Sequence, residues 1–413
     1  MSVSELTPES TDPQPRHVTL ASAGEGDSSA SAPAAERSAS SGLDVSIVMP
    51  CLNEAEAVGE CVQKALGWIE RSGLTGEVVV VDNGSTDNSA AEAKAAGARV
   101  VHHAERGYGA ALQRGFREAR GRFLVMGDCD GTYEFGELDP LVRPLEDDCD
   151  LVMGNRLTKM LAPGAMPWAH RHIGTPLISL ILRIFTGAKV TDSQCGIRGI
   201  RRDAIESLGL KSPGMEFASE MILKAKRAGL RISQVDVPYY IRTGESKLST
   251  FRDGWRHLKF LLISSPSYVF VLPGLLFLLL GLVSLAVTVF TANGVTIGSV
   301  VWEPVYAAAI LLAVGVNTMM LGLCSKLLGL REGAQEDGMV RFYRAHLGLG
   351  RILVGAGAMI AVGLGLELFV LVEWLRDSPR VLLPWATVSA TLIVIAANVI
   401  FAALAAAMID PED

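Results

Sequence analysis

Two carboxylates two residues apart, Asp128 and Asp130, stand just past an apolar run, Phe123–Met126, and a glycine, Gly127. Carboxylates at this spacing can share a hard divalent cation. Such a cation can bind a diphosphate and neutralise the charge that builds on it as it leaves. A second acidic turn, Asp82-Asn83-Gly84-Ser85-Thr86-Asp87, offers Asp82 to a base or a ribose. It reads equally as turn chemistry, with Asn-Gly making the turn and Ser85 or Thr86 capping the next helix. Pro50-Cys51-Leu52-Asn53-Glu54 poses the same choice. Arg106-Gly107-Tyr108-Gly109 opens a helix, where glycines admit close backbone approach and the helix start favours anions. No GK[ST] follows it and no first strand precedes it, so it is neither a Walker loop nor a dinucleotide fingerprint. Arg242-Thr243-Gly244-Glu245-Ser246-Lys247 places two cations around Gly and Ser, suited to a phosphate or to anionic lipid. Gly154-Asn155-Arg156 and Cys195-Gly196-Ile197-Arg198 supply further arginines.

These groups need strand ends to hold them. From about 44 to 240, short β-branched runs alternate with helical patterns, and Val45–Met49, Val78–Val81, Arg99–Val101, Phe123–Met126 and Leu151–Met153 read as strands. Val58, Cys61, Val62, Ala65, Leu66 and Ile69 recur at helical spacing. The alternation predicts an α/β, Rossmann-like domain with a mainly parallel sheet, whose ligands sit beyond the carboxyl ends of the strands. The polar clusters fall there.

The remaining length has another character. Four apolar stretches, about 268–291, 304–330, 350–375 and 385–409, are each long enough to cross a ~30 Å hydrocarbon core. They predict an all-α transmembrane bundle of about four helices. Arg331, Arg341 and Arg344 lie between the second and third stretches, and the loop near 292–302 has no Lys or Arg. With the α/β domain in the cytoplasm, this agrees with the positive-inside rule. Residues 1–42 are rich in Ser, Ala, Glu and Pro and read as a disordered tail without a secretory h-region. The expected boundaries are thus 1–42 tail, 43–245 α/β domain, 246–265 interfacial amphipathic helix and 266–413 transmembrane domain. In the interfacial segment Phe251, Trp255, Leu258 and Leu262 share a face, with Arg252, Arg256, His257 and Lys259 elsewhere. Ile173–Phe185, apolar nearly all round, reads either as a second interfacial helix or as a buried one.

Composition agrees. Hydrophobic residues make up 49% of 413, and mean hydropathy is +0.33. The net charge of −7 excludes a phosphate-backbone partner, so no nucleic acid is expected. Six scattered cysteines without a CxxC pair suggest neither a zinc site nor a disulfide framework, and fit a reducing compartment.

Taken in order, Pro50–Glu54, Val81–Ser85, Asp128-Cys129-Asp130-Gly131-Thr132, Gly154–Arg156, Asp192–Arg198, Gly214-Met215-Glu216-Phe217 and Arg242–Lys247 resemble family 2 glycosyltransferases of the GT-A fold. The chain is most similar to the dolichol-phosphate mannose synthases and polyprenyl-phosphate glucose synthases. The resemblance covers about 44–265 closely and the helical tail more loosely. It implies transfer of a hexose from UDP-glucose or GDP-mannose to a polyprenyl or dolichyl phosphate, with inversion, at the cytoplasmic face of the bilayer. It implies that Pro50, Leu52, Glu54 and Asp82 hold the nucleoside. Asp128 and Asp130 would bind Mg²⁺ or Mn²⁺ and the diphosphate, with Cys129 and Thr132 lining that loop. Arg156 would meet the lipid phosphate with Arg198 nearby, and Arg242 and Lys247 would hold the nucleotide diphosphate or the acceptor phosphate. Asn83 stands where many relatives have a second acid, and Cys129 where most have Ala. A processive polysaccharide synthase is the alternative within the class, but its QxxRW motif is missing. A nucleotide-sugar-binding membrane scaffold is the alternative outside it. A homo-oligomer is compatible with either.

Overall fold

The computed structural model describes residues 42–157, 163–244, 250–290, 295–297, 300–331, 336–376 and 382–410. Lys247 and residues 1–41 of the expected tail lie outside them. The chain divides into two compact units, Met1–Leu261 and Leu262–Asp413.

The first unit alternates strand and helix. In chain order it runs β1 (Val45–Cys51), α1 (Val58–Ser72), β2 (Gly76–Asp82), α2 (Ser89–Ala95), β3 (Arg99–His102), α3 (Tyr108–Glu118), β4 (Phe123–Met126), α4 (Asp139–Asp147) and β5 (Leu151–Asn155). A π-helical turn, His170–Gly174, then leads into α5 (Thr175–Thr186), followed by β6 (Arg198–Arg201), α6 (Arg202–Leu208), α7 (Phe217–Arg227), β7 (Ile232–Asp236) and α8 (Thr250–Ile263). The strands form one sheet in the order β3-β2-β1-β4-β6-β5-β7. All neighbours are parallel except β6, which runs against both β4 and β5. Both faces are covered, as parallel sheets require. Ile47, Met49, Val80 and Val125 pack on α1 and α4, whereas Val48, Val79, Leu124 and Met126 pack on α3, α5 and α7. The predicted helix face is confirmed in α1, where Val58, Cys61, Val62, Ala65 and Ile69 are buried together with Trp68, and Leu66 is partly buried.

Strand β6 escaped sequence reading. Its Arg198-Gly199-Ile200-Arg201 has neither alternation nor β-branched density, and it is a strand because β4 and β5 pair with it on both sides. In helix α8, His257 is 4% exposed and Leu261 is buried in the core that α7 shares, while Trp255, on the expected apolar face, is exposed.

The second unit contains α9 (Leu272–Phe290), a hairpin of β8 (Val295–Ile297) and β9 (Val300–Trp302), α10 (Pro304–Arg331), α11 (Gly338–His346), α12 (Leu349–Leu375) and α13 (Leu382–Ile409). Among the described residues, four helices are long and apolar enough to span a membrane: Ser267–Thr288, Pro304–Arg331, Leu349–Leu375 and Pro384–Ile409. The short α11 was not foreseen. Asp337 caps it by accepting from Met339 N and Val340 N, and Val340 and Tyr343 bury against Leu323, Leu327, Ile352 and Ala403.

Candidate active site

The order β2-β1-β4 makes the gap between β1 and β4 the point where the chain reverses its direction of winding, and ligands of open α/β sheets bind beyond such a gap. Strand β1 ends there at Cys51, β2 at Asp82, β4 just before Gly127 and β5 at Asn155. Because β6 is antiparallel, its first residue, Arg198, starts at the same edge.

The loops after β1 and β2 are sewn together. Asn53 is in the left-handed region (φ 53°), and its Oδ1 accepts from Thr86 N at 2.7 Å. Asn53 N donates to Ser85 Oγ, Glu54 N to Ser89 Oγ and Ala55 N to Asp87 Oδ2. Asp87 is thus structural. Asp82, 7% exposed, accepts from Ser85 N at 2.9 Å and faces His102 Nδ1 at 3.0 Å. Burial pushes its carboxyl up, but Ser85 and His102 more than offset this, so it lies below the usual range. Asn83 reaches the next loop: its Nδ2 donates to His103 O and Glu105 O, and its Oδ1 accepts from Gly107 N at 2.7 Å.

The acid pair lies at the centre. Asp130 Oδ1 accepts from Thr132 N and Oγ1, and its Oδ2 accepts from Arg242 Nη1 at 2.5 Å. The other arm of Arg242 bonds Glu54 Oε1. The segment that delivers Arg242 is fixed by Tyr240 N to Thr132 O and Thr243 N to Asp130 O. Asp128, half-buried, hydrogen-bonds the Tyr108 hydroxyl at the start of α3. A Cβ at Gly196 would fall 2.4 Å from Asp128 Oδ2, so a side chain there would push the Asp128 carboxylate aside. Burial, and then the Asp130 charge, push the Asp128 carboxyl up to about 7.

The arginines differ in how far they are already committed. Arg156 makes a bidentate pair with the fully buried Asp192, Nε to Oδ2 at 2.8 Å and Nη2 to Oδ1 at 2.9 Å, and lies 5.2 Å from the Tyr239 ring centroid. Arg198 is 0% exposed and donates to Cys195 O, Ala218 O and Ser193 O at 2.8–3.0 Å. It ties the 193–195 loop to the start of α7 and presents no open cation. Arg242 alone of the three stands at the acid pair.

Residues 46–209 match the model of glycosyl transferase family 2, and 323–410 match the family 2 C-terminal transmembrane region. A low-salt glycan biosynthesis hexosyltransferase of Haloferax volcanii is 34% identical over 336 residues, covering 81% of this chain and 80% of the relative. The chain belongs to glycosyl transferase family 2. A dolichyl-phosphate hexose transferase of the same organism is 32% identical over 212 residues, 51% of this glycosyltransferase and 89% of the relative. Among solved structures, glucosyl-3-phosphoglycerate synthase from Mycobacterium tuberculosis with Mn²⁺, UDP and glucosyl-3-phosphoglycerate has a TM-score of 0.44 at 24% identity, over 54% of this chain and 80% of that one. With its α/β sheet and apolar helices, the glycosyltransferase is a multi-pass membrane protein of the expected architecture.

The donor set of this family 2 site fits a hard divalent ion. Two carboxylates on one loop face the switch point, and their mutual repulsion, visible in Asp128, is what a cation relieves. Among the described residues no third acidic, His or Cys ligand joins them, so phosphate oxygens and water would complete the coordination of a bound Mg²⁺ or Mn²⁺. Pro50 and Cys129 belong to the floor beneath, with Cys129 Sγ donating to Pro50 O at 3.3 Å. Leu52 is half-buried at the rim of the β1 loop. Sequence reasoning missed Tyr108 and the bridging roles of Asn83 and Asp192. The signal for Tyr108 was its place between two glycines, which was read as an anion site instead.

Proposed function

We propose that this glycosyltransferase moves a hexose from UDP-glucose or GDP-mannose to a polyprenyl or dolichyl phosphate at the cytoplasmic membrane face, with inversion. The observation that carries the reading is the Asp128–Asp130 loop at the switch point, crossed by Arg242, in a chain whose second unit holds four helices apolar and long enough to span a membrane. The dolichyl-phosphate hexose transferase relative supports the acceptor class.

Pro50, Leu52 and Asp82 would receive the nucleoside, and Glu54 would hold Arg242 in place beside it. Asp128 and Asp130 would hold Mg²⁺ or Mn²⁺, which when bound supplies positive charge to the departing diphosphate. Arg242 adds a guanidinium at the same spot, and Lys247 follows five residues later in the chain. The Arg156–Asp192 pair neutralises itself, so its part is to fix the loop that holds Asp192, Ser193 and Gln194. A phosphate monoester is already anionic, so no strong base is required. Placing its oxygen against the anomeric carbon is the main task, and in-line displacement inverts that carbon. A prenyl tail leaves the bilayer only at about 0.8 kcal/mol per CH₂, so the site must meet its acceptor at the headgroups. The exposed stripe Ile173, Leu177, Leu180 and Ile184, running from the π-helical turn into α5, suits such a surface.

The test incubates the purified full-length protein in detergent with Mg²⁺, a polyprenyl phosphate and each radiolabelled nucleotide-sugar in turn. Label enters the organic phase from one donor, and Asp128→Ala/Asp130→Ala falls below about 1% of that rate. Label in a polymeric or water-soluble product, or an undiminished double variant, would overturn the reading.

A further inference from the structure

Four of the six cysteines, Cys51, Cys61, Cys129 and Cys195, are buried in one core cluster with Cys129 between the two acids, and the transfer reaction uses none of their thiols. Cys51 ends β1, and Cys129 lies three residues beyond β4. The parallel register that sets Val48 against Met126 continues past the strand end, where Gly127 N donates to Val48 O at 3.2 Å. Carried three residues onward, past the end of β4, the same register would set Cys51 opposite Cys129. The pleat puts both on one side: Met49 and Val125 already point into the core under α1, and so do Cys51 and Cys129, each 1% exposed. Cys129 Sγ reaches β1 itself, donating to Pro50 O, the carbonyl next to Cys51, at 3.3 Å. Neighbouring strands run about 4.8 Å apart, inside the ~4.4–6.8 Å Cα separation that a disulfide spans. Cys61 of α1, 3% exposed, belongs to the same core.

We propose that Cys51 and Cys129 form a reversible disulfide when a peroxide reaches them, and that closing it disables the acid pair on either side of Cys129. One thiolate attacks a peroxide oxygen and breaks the O–O bond, giving a sulfenic acid and one water. The other thiol then attacks that sulfur, forms the S–S bond and releases the second water. Two thiols are oxidised while one hydrogen peroxide is reduced to two waters. In a reducing compartment such a bond is transient and responsive, unlike a structural staple. It also acts where a small movement matters. Cys129 is flanked by Asp128 and Asp130, and bonding its sulfur to β1 draws the loop between them toward the sheet. The loss of transfer rests on the reading of Asp128 and Asp130 given above; the disulfide itself does not.

The full-length protein in detergent is treated with hydrogen peroxide, alkylated, digested and analysed by mass spectrometry, with sugar transfer to polyprenyl phosphate measured in parallel. The expected result is a peptide pair joined through Cys51 and Cys129, with transfer reduced about 100-fold, the size of a ~1 Å misplacement, and restored by dithiothreitol. Cys51→Ala keeps its basal transfer and resists peroxide. The proposal is overturned if no joined pair appears, if Cys129 bonds Cys61 instead, if Cys51→Ala is inactivated equally, or if the disulfide forms and transfer is unchanged. If the reduced protein transfers no sugar from any donor, the functional reading fails, while the peptide masses still decide the disulfide.

Discussion

Three arginines that the sequence offered as phosphate ligands do different physical work. Arg198 is the most buried, and its fork is used up on three carbonyls. Removing it would leave those acceptors dry, at about 1–3 kcal/mol each. Arg198→Met is therefore expected to lower stability by about 3 kcal/mol or more, read as a clear fall in the thermal midpoint of the purified protein. Arg198→Lys should not rescue it, because an ammonium cannot reach all three carbonyls in a fixed plane. Arg242 is the opposite case. It is 23% exposed and meets two carboxylates at the site. Arg242→Ala takes a partner from two largely buried carboxylates, but Asp130 keeps its Thr132 bonds, so the thermal midpoint should fall less than in Arg198→Met while kcat/KM for the donor falls as well. Equal stability losses in the two variants would refute this division. Residue type alone cannot draw the distinction, since burial is decided by the loops that fold around each guanidinium.

At the scale of elements, the first turn of α3 shows why a local motif can be found and still be misread. Arg106-Gly107-Tyr108-Gly109 was legible as a helix start with close approach, and both are present. What approaches is protein: a Cβ at Gly109 would sit 2.2 Å from Ser212 O and 2.8 Å from Phe217 Cβ. That contact seats α3 against the start of α7 and brings Tyr108 onto Asp128. Gly109→Ala must push α3 away from that backbone and pull Tyr108 with it. Transfer should drop about 100-fold, as a ~1 Å misplacement predicts, whereas Gly59→Ala, with nothing within 4 Å, should be neutral or stabilise α1 by up to about 1 kcal/mol. Wild-type rates in Gly109→Ala would show that α3 does not position the acid loop. The strands reveal the same limit. β1, β2 and β4 were legible because Val, Ile and Leu crowd a doubly buried sheet. β6 was not, because its pairing depends on partners 45 to 78 residues earlier in the chain.

At the scale of the molecule, the four spans were the most legible feature, since a long apolar helix needs no tertiary partner to be recognised. What sequence left undecided was α5, which could be interfacial or buried. The structure divides it: Thr175, Ser179 and Leu182 face the core, while Ile173, Leu177, Leu180 and Ile184 are 47–52% exposed along one stripe. Leaving such side chains half in water costs about 1 kcal/mol each, a cost that a bilayer surface removes. Arg171 and Arg183 flank the stripe and suit anionic headgroups. If the stripe meets lipid, Leu177→Glu/Leu180→Glu should fold normally, because neither side chain contributes to the core. It should transfer to a short-chain prenyl phosphate in detergent at the wild-type rate. With a long-chain acceptor in anionic vesicles it should fall about tenfold, since roughly 1.4 kcal/mol of surface contact is a factor of ten. Equal losses in detergent and vesicles would place the stripe in folding or in the site itself. Unchanged rates in both would mean that the acceptor is reached without α5, leaving the spans alone to hold the enzyme at the membrane.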